Sequence, residues 1–166
     1  MNYQDFISSG QDAIRIFDEN TQNYSFLEQS APDHVCYKCS GRKEFELIRS
    51  WFEEHGVFVY QAQISGRPIA TIQLKKPFVS QWGEIHTLEL SDQKPDGSQT
   101  SQWDHIEVKH INDDYNGLVA GATNYGLDVI LKERPHHTTH EVKLGGSIKL
   151  VFTRERLIEK IKEEMG

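Results

Sequence analysis

Two phrases of the sequence share one pattern: Asp33-His34-Val35 and Asp104-His105-Ile106 each set an acid and an imidazole directly before a β-branched residue. A three-residue echo is weak by itself. The residues after each copy repeat as well, a helix-like stretch and then three short strand-like runs, and such self-similarity is how duplicated modules show themselves. If the copies pair by pseudo-symmetry, His34 and His105 face each other across one cavity.

The second copy lies in Ser101-Gln102-Trp103-Asp104-His105-Ile106-Glu107-Val108-Lys109. With period two, Trp103, His105, Glu107 and Lys109 share one face of a strand, and Asp104, Ile106 and Val108 share the other. Ile106 and Val108 mark the core; His105 and Glu107 mark a site. Glu107 stands about 7 Å beyond His105 along the strand.

Along the chain, residues 3–20 carry Phe6, Ala13, Ile14 and Phe17 as an apolar stripe, predicting one helix or two short ones as an N-terminal extension. Residues 20–33, with Pro32, predict a loop. His34 to Cys39 predicts a strand. Ser40 is the expected N-cap of a helix to His55 that buries Phe45, Ile48, Trp51 and Phe52, with Gly56 behind its C-terminus. Residues 57–62, alternating through Phe58, and residues 69–75 predict strands around a Gly66-Arg67-Pro68 turn, and residues 83–90 predict a fourth. Residues 91–100 are rich in Asp, Pro, Gly and Ser and predict a linker or lid loop.

The second half repeats that order. A strand over 103–110 precedes a helix capped by Asn112 or Asp113, carrying Tyr115, Leu118, Val119, Ala122 and Tyr125 inward and closed by Gly126. Short strands over 128–132, 140–144 and 148–153 lead to a final helix over 154–165, with Leu157, Ile158 and Ile161 buried. The expected fold is therefore α+β: two tandem βαβββ modules, about 33–92 and 101–166, forming a curled mixed sheet around a cup. Helices stand at both ends, the N-terminal extension covers about 1–30, and residues 1–166 make one domain.

The net charge of −7 and the absence of any Lys/Arg stripe exclude a duplex nucleic-acid partner. No run approaches the roughly 18 apolar residues of a membrane span, and Met-Asn-Tyr-Gln-Asp-Phe carries no signal core, so a cytoplasmic location is expected. Cys36 and Cys39 form a Cys-x-x-Cys before a helix. A zinc ribbon needs a second pair, and a redox pair wants both sulfurs at a helix N-terminus. Cys36 falls inside a strand, so both are expected to be strand thiols.

The runs Ile64-Ser65-Gly66-Arg67-Pro68-Ile69, Gln81-Trp82, Leu88-Glu89-Leu90 and Gln102-Trp103-Asp104-His105-Ile106-Glu107 resemble the YecM-like proteins, as do Asp33-His34-Val35 and Leu157-Ile158-Glu159-Lys160-Ile161. The resemblance covers roughly residues 30–162. It implies the vicinal oxygen chelate superfamily, which includes glyoxalase, bleomycin-resistance and dihydroxybiphenyl dioxygenase types, with paired βαβββ modules around a metal cup. It further implies a divalent metal, Zn, Mn, Fe or Ni, on His34, Glu89 and His105, and usually a carboxylate on the eighth strand. That last strand reads Ser147-Ile148-Lys149-Leu150-Val151-Phe152, with Lys149 where the fourth ligand is expected.

Each of these residues has a plainer alternative. An imidazole can be hydrogen-bonded inside a small barrel, Glu89 can be a surface carboxylate at a strand end, and Glu107 a salt-bridge partner. In the functional reading Glu107 is the cavity acid or base, while Trp103, Lys38 and Lys149 line the cup. Lys109 adds positive charge and Arg67 stabilises its turn. Of the trio His136, His137 and His140, the last is the expected substitute ligand. The partner is then a small oxygen-chelating ligand or substrate, and the chain a monomer or homodimer. Isomerase, lyase and dioxygenase chemistries all occur on this scaffold. A metal-free ligand-binding module on the same fold is the alternative, and a partner-binding helix at residues 3–20 is a third.

Overall fold

The computed structural model describes all residues except Gly56, Phe58, Pro135, His136, Ser147 and Gly166, and gives the backbone alone for residues 162–165. The roles expected of Gly56, Phe58, His136 and Ser147 lie outside the described residues. The chain runs α1 (Tyr3–Thr21), a 3-10 turn (Ser25–Gln29), β1 (Ser30–Lys38), α2 (Arg42–Glu54), β2 (Val59–Ile64), β3 (Arg67–Ser80) and β4 (Gly83–Ser91). It continues through β5 (Gln102–His110), α3 (Tyr115–Tyr125), β6 (Ile130–Lys132), β7 (Thr139–Lys143), β8 (Lys149–Phe152) and α4 (Leu157–Met165).

All eight strands join one mixed sheet in the order β2-β3-β4-β1-β5-β8-β7-β6. The order reads as one module followed by its mirror image. β1 and β5 meet antiparallel at the centre, and each has the last strand of its own module parallel on its outer side. The βαβββ repeat expected from the sequence is therefore present, as a curled sheet with β2 and β6 at its edges rather than a barrel.

α1, α2 and α3 cover one face. α1 begins with a reciprocal capping box between Asn2 and Asp5, and its buried positions Phe6, Gly10, Ile14, Phe17 and Thr21 recur every three or four residues. They join Phe45, Ile48 and Phe52 of α2 and Leu118 and Ala122 of α3 over Val35, Tyr37, Ile72, Leu88, Ile106, Val108 and Leu150. α1 is thus part of the core, and its apolar stripe is spent on the sheet. Among the described residues α4 is the helix on the opposite face, where Leu157, Lys160 and Ile161 line one hollow with Tyr60, Ile69 and Thr71.

Several boundaries differ from the sequence pattern for local reasons. β1 starts at Ser30 and passes through Pro32, because a register shift comes directly after it and a bulge tolerates a missing donor. Ser40 does not cap α2; Gly41 does, and the Ser40 N–H donates to Glu44 instead. Asp114, not Asn112 or Asp113, caps α3, and Tyr125 is exposed. The β2–β3 turn is Ser65-Gly66, both left-handed (φ 52° and 80°), which is the two-residue hairpin turn that favours glycine. β3 then runs on past Pro77 to Ser80 across a register break between Gln73 and Phe78.

At the crossing of α1 and the sheet, a Cβ on Gly10 would stand 2.6 Å from Phe78 Cζ and 2.8 Å from Trp103 Cζ2. Alanine there gains about 1 kcal/mol of helix propensity but overpacks rings that cannot swing away, at about 1–3 kcal/mol. Gly10→Ala is therefore expected to lower stability in urea unfolding. A stabilised variant would show that α1 does not approach the sheet this closely.

Candidate metal site

The site begins with two bulges. Along the β1–β5 ladder the pairing steps from Pro32↔Val108 to His34↔Glu107, leaving Asp33 extra on β1. It then steps from Cys36↔His105 to Tyr37↔Trp103, leaving Asp104 extra on β5. An extra residue interrupts the alternation of side chains, so each Asp reaches the imidazole next to it in the chain. Asp33 Oδ2 accepts from His34 Nδ1 at 2.8 Å, and Asp104 Oδ2 accepts from His105 Nδ1 at 2.7 Å. With Nδ1 engaged by a carboxylate, Nε2 is the nitrogen left for a ligand.

Both Nε2 atoms turn toward one carboxylate. Glu107 Oε2 is 3.0 Å from His34 Nε2 and 3.4 Å from His105 Nε2, and the two imidazole centroids are 6.0 Å apart. The 3.0 Å contact lacks hydrogen-bond geometry, so His34 Nε2 is a buried nitrogen without a hydrogen-bond partner among the described residues. Such an atom is what a bound cation would satisfy. His34, His105 and Glu107 present ligand atoms within 4.8 Å of one another, as do Cys36, Glu89 and His105. The residues present therefore fit a divalent ion of the kind bound by imidazole and carboxylate.

Glu89 pairs with Cys36 across the β1–β4 ladder and stands beside the same cluster, with Oε2 3.9 Å from His34 Nε2 and its side chain 18% exposed. Lys38 and Lys149 both reach Asp104, at 3.0 and 3.5 Å. Val151 is the β8 residue level with Glu107.

Trp103 does not share the face of His105. The bulge at Asp104 turns it into the core, where it packs on Phe6, Tyr37 and Phe78 and donates from Nε1 to Ser9. His140 also points away, its Nδ1 2.6 Å from the hydroxyl of Tyr115 on α3. Of the two described histidines of the trio it is His137, on the β6–β7 loop, that reaches the site, with Nε2 3.4 Å from Glu107 Oε1. Period two could not find His137, Asp33 or Asp104 as a working set, since two sit at register shifts and one in a loop. The repeated Asp-His phrase was the local trace of the two acids, and the cluster of histidines at 136–140 that of His137.

Burial disfavours charge on His34, but Glu107, Asp33 and Glu89 outweigh it and raise its pKa well above the usual imidazole value. His105 is raised too, against its burial, by Asp104 and Glu107. Burial would lift the Glu107 carboxyl, yet the charge of His34 and the contacts from His105 and His137 hold it well below the ordinary range. The cluster is thus strongly polarised and internally neutralised.

Cys36 is fully buried, and burial with Glu89 and Asp104 raises its pKa well above the usual thiol value; Cys39 is likewise raised by burial, Glu44 and Asp92. Both are free thiols. A thiol reagent is expected to label them at least about 10²-fold more slowly in the native protein than after unfolding, since the thiolate is the nucleophile. Native rates near those of the unfolded chain would restore the redox reading.

The model of the YecM protein family matches residues 5–136 of the chain. A solved structural-genomics protein, EC4020, superposes with a TM-score of 0.73 at 22% identity, covering 97% of this chain and 92% of that one. This likeness gives the fold. Looser matches include a methylmalonyl-CoA epimerase (TM-score 0.48, 13% identity, 75% of this chain and 96% of that one). Another is a 2,2',3-trihydroxybiphenyl 1,2-dioxygenase from Sphingomonas wittichii (TM-score 0.45, 13% identity, 75% and 43%). Neither of these two bears on the chemistry here. Among curated proteins, none matches the chain in sequence.

Proposed function

We propose, from the premise that the chain belongs to the YecM protein family, that it binds one divalent metal ion and acts on a small substrate bearing paired oxygens. The carrying observation is the convergence of His34 Nε2, His105 Nε2 and Glu107 Oε2, with the first of these buried and lacking a hydrogen-bond partner among the described residues. Zn, Mn, Fe and Ni all suit such a donor set. When bound, the ion supplies Lewis acidity toward the substrate's oxygens.

The protein's own residues divide the remaining work. His34 and His105 are ligands, and Glu107, closer to both and more buried than Glu89, is the third. This exchanges the roles expected from the sequence, where the resemblance makes Glu89 a ligand and the strand face makes Glu107 the cavity acid or base. Glu89, at 18% exposure the more accessible, would then be the group to take a proton from a substrate carbon or hydroxyl beside the paired oxygens. Such proton transfer is common to isomerase and lyase chemistry, which the fold alone does not separate. No helix among the described residues is long and apolar enough to cross a membrane, and a cytoplasmic setting is part of the proposal.

The second reading, a ligand-binding module without metal, draws on Val151 standing level with Glu107 on the last strand, where no fourth carboxylate is supplied. Elemental analysis of untagged protein decides between them. A stoichiometric metal is expected in the wild type and in Glu89→Gln. It should be lost in His105→Ala and fall well below stoichiometric in Glu107→Gln, since each change removes a ligand atom. Metal retained in Glu107→Gln but lost in Glu89→Gln would return the ligand role to Glu89. No metal in any form after reconstitution would favour the module.

A further inference from the structure

The site is held from the C-terminal helix as well as from the sheet. The Leu157 N–H donates to Asp33 Oδ2 at 2.9 Å, the same oxygen that accepts from His34 Nδ1, and Arg156 Nε lies 3.5 Å from Asp33 Oδ1. One turn on, Lys160 Nζ donates to His137 Nδ1 at 2.7 Å. Lysine can only donate, so the neutral ring carries its proton on Nε2, which faces Glu107 Oε1. Glu107 is thereby left with Oε2 toward the two histidines.

We infer that α4 positions two of the three proposed ligands, His34 through Asp33 and Glu107 through His137, so that docking of the helix and binding of the divalent ion are coupled. The inference rests on the metal site proposed above. Leu157 opens the helix and offers its unpaired first-turn backbone N–H to the partner of one ligand, and Lys160, one turn on, offers its side chain to the partner of the other. Ile161, buried on the same helix, anchors that face against the sheet. His105 differs, because its partner Asp104 is held by Lys38 and Lys149, both on strands. His105 is preset by the sheet, and the other two ligands are fixed when α4 docks.

Loss of a partner that orients a ligand lowers metal affinity by about 10–100-fold. Coupling is reciprocal, so the metal must stabilise the docked helix by the factor that docking adds to metal affinity. The test uses the full chain, with Zn(II) or Mn(II) titrated against a chromophoric chelator and amide exchange monitored over residues 157–161. Lys160→Met is expected to weaken binding about tenfold with an unchanged circular dichroism spectrum, and to have no further effect in a His137→Ala background. Metal should slow exchange in the helix of the wild type by a similar factor, and this slowing should be lost in Asp33→Asn. In Asp104→Asn, binding should weaken while the helix still responds to metal.

Lys160→Met binding metal within twofold of wild type, together with helix exchange indifferent to metal, would overturn the coupling while leaving the metal site standing. A wild type that binds no more tightly than the His34→Ala/His105→Ala double variant would instead overturn the site itself, and the coupling with it.

Discussion

The antiparallel pairing of β1 with β5 is the contact on which the rest depends. It joins the two modules along their first strands and brings His34 opposite Glu107 and Cys36 opposite His105. In a regular ladder, Asp33 and His34 would point to opposite faces, as would Asp104 and His105. One inserted residue on each strand removes that separation and lets each acid grip the ring beside it. The same small irregularity, used twice, turns a sheet junction into a pair of aimed imidazoles.

A cluster of buried imidazoles and carboxylates is costly unless its charges answer one another. Here they do, in a chain of contacts. Glu107 faces His34, His105 and His137, while Asp104 is shared by His105, Lys38 and Lys149. The hydrophobic stabilisation comes from elsewhere. Phe6, Phe17, Phe45, Phe52 and Trp103 pack on the opposite face of the sheet, so the polar face can be shaped for binding without thinning the core.

The asymmetry between the modules arises from the elements that cover them. Both carry an Asp-His bulge, but β5 finds its partners on neighbouring strands and β1 finds them on α4. A duplicated scaffold has in this way become an unequal pair of half-sites. The second module contributes His105 and Glu107 from a single strand, and the first contributes His34 with Glu89 alongside.

The sequence by itself determined the duplication and the order strand, helix and three strands in each half, because periodicity and repetition are local properties of a chain; it made His34 and His105 facing partners only on the condition that the two copies pair. It placed Phe6, Ile14, Ile106 and Val108 in the core for the same reason. Only the tertiary structure decided that Trp103 and His140 turn into the helical side while His137 reaches the site, and that Glu107 stands nearer to both histidines than Glu89. Each of these outcomes depends on pairing register or on contact between residues distant in sequence. A single inserted residue such as Asp104 reverses which face its neighbour occupies, and nothing local in a strand's alternation announces that insertion.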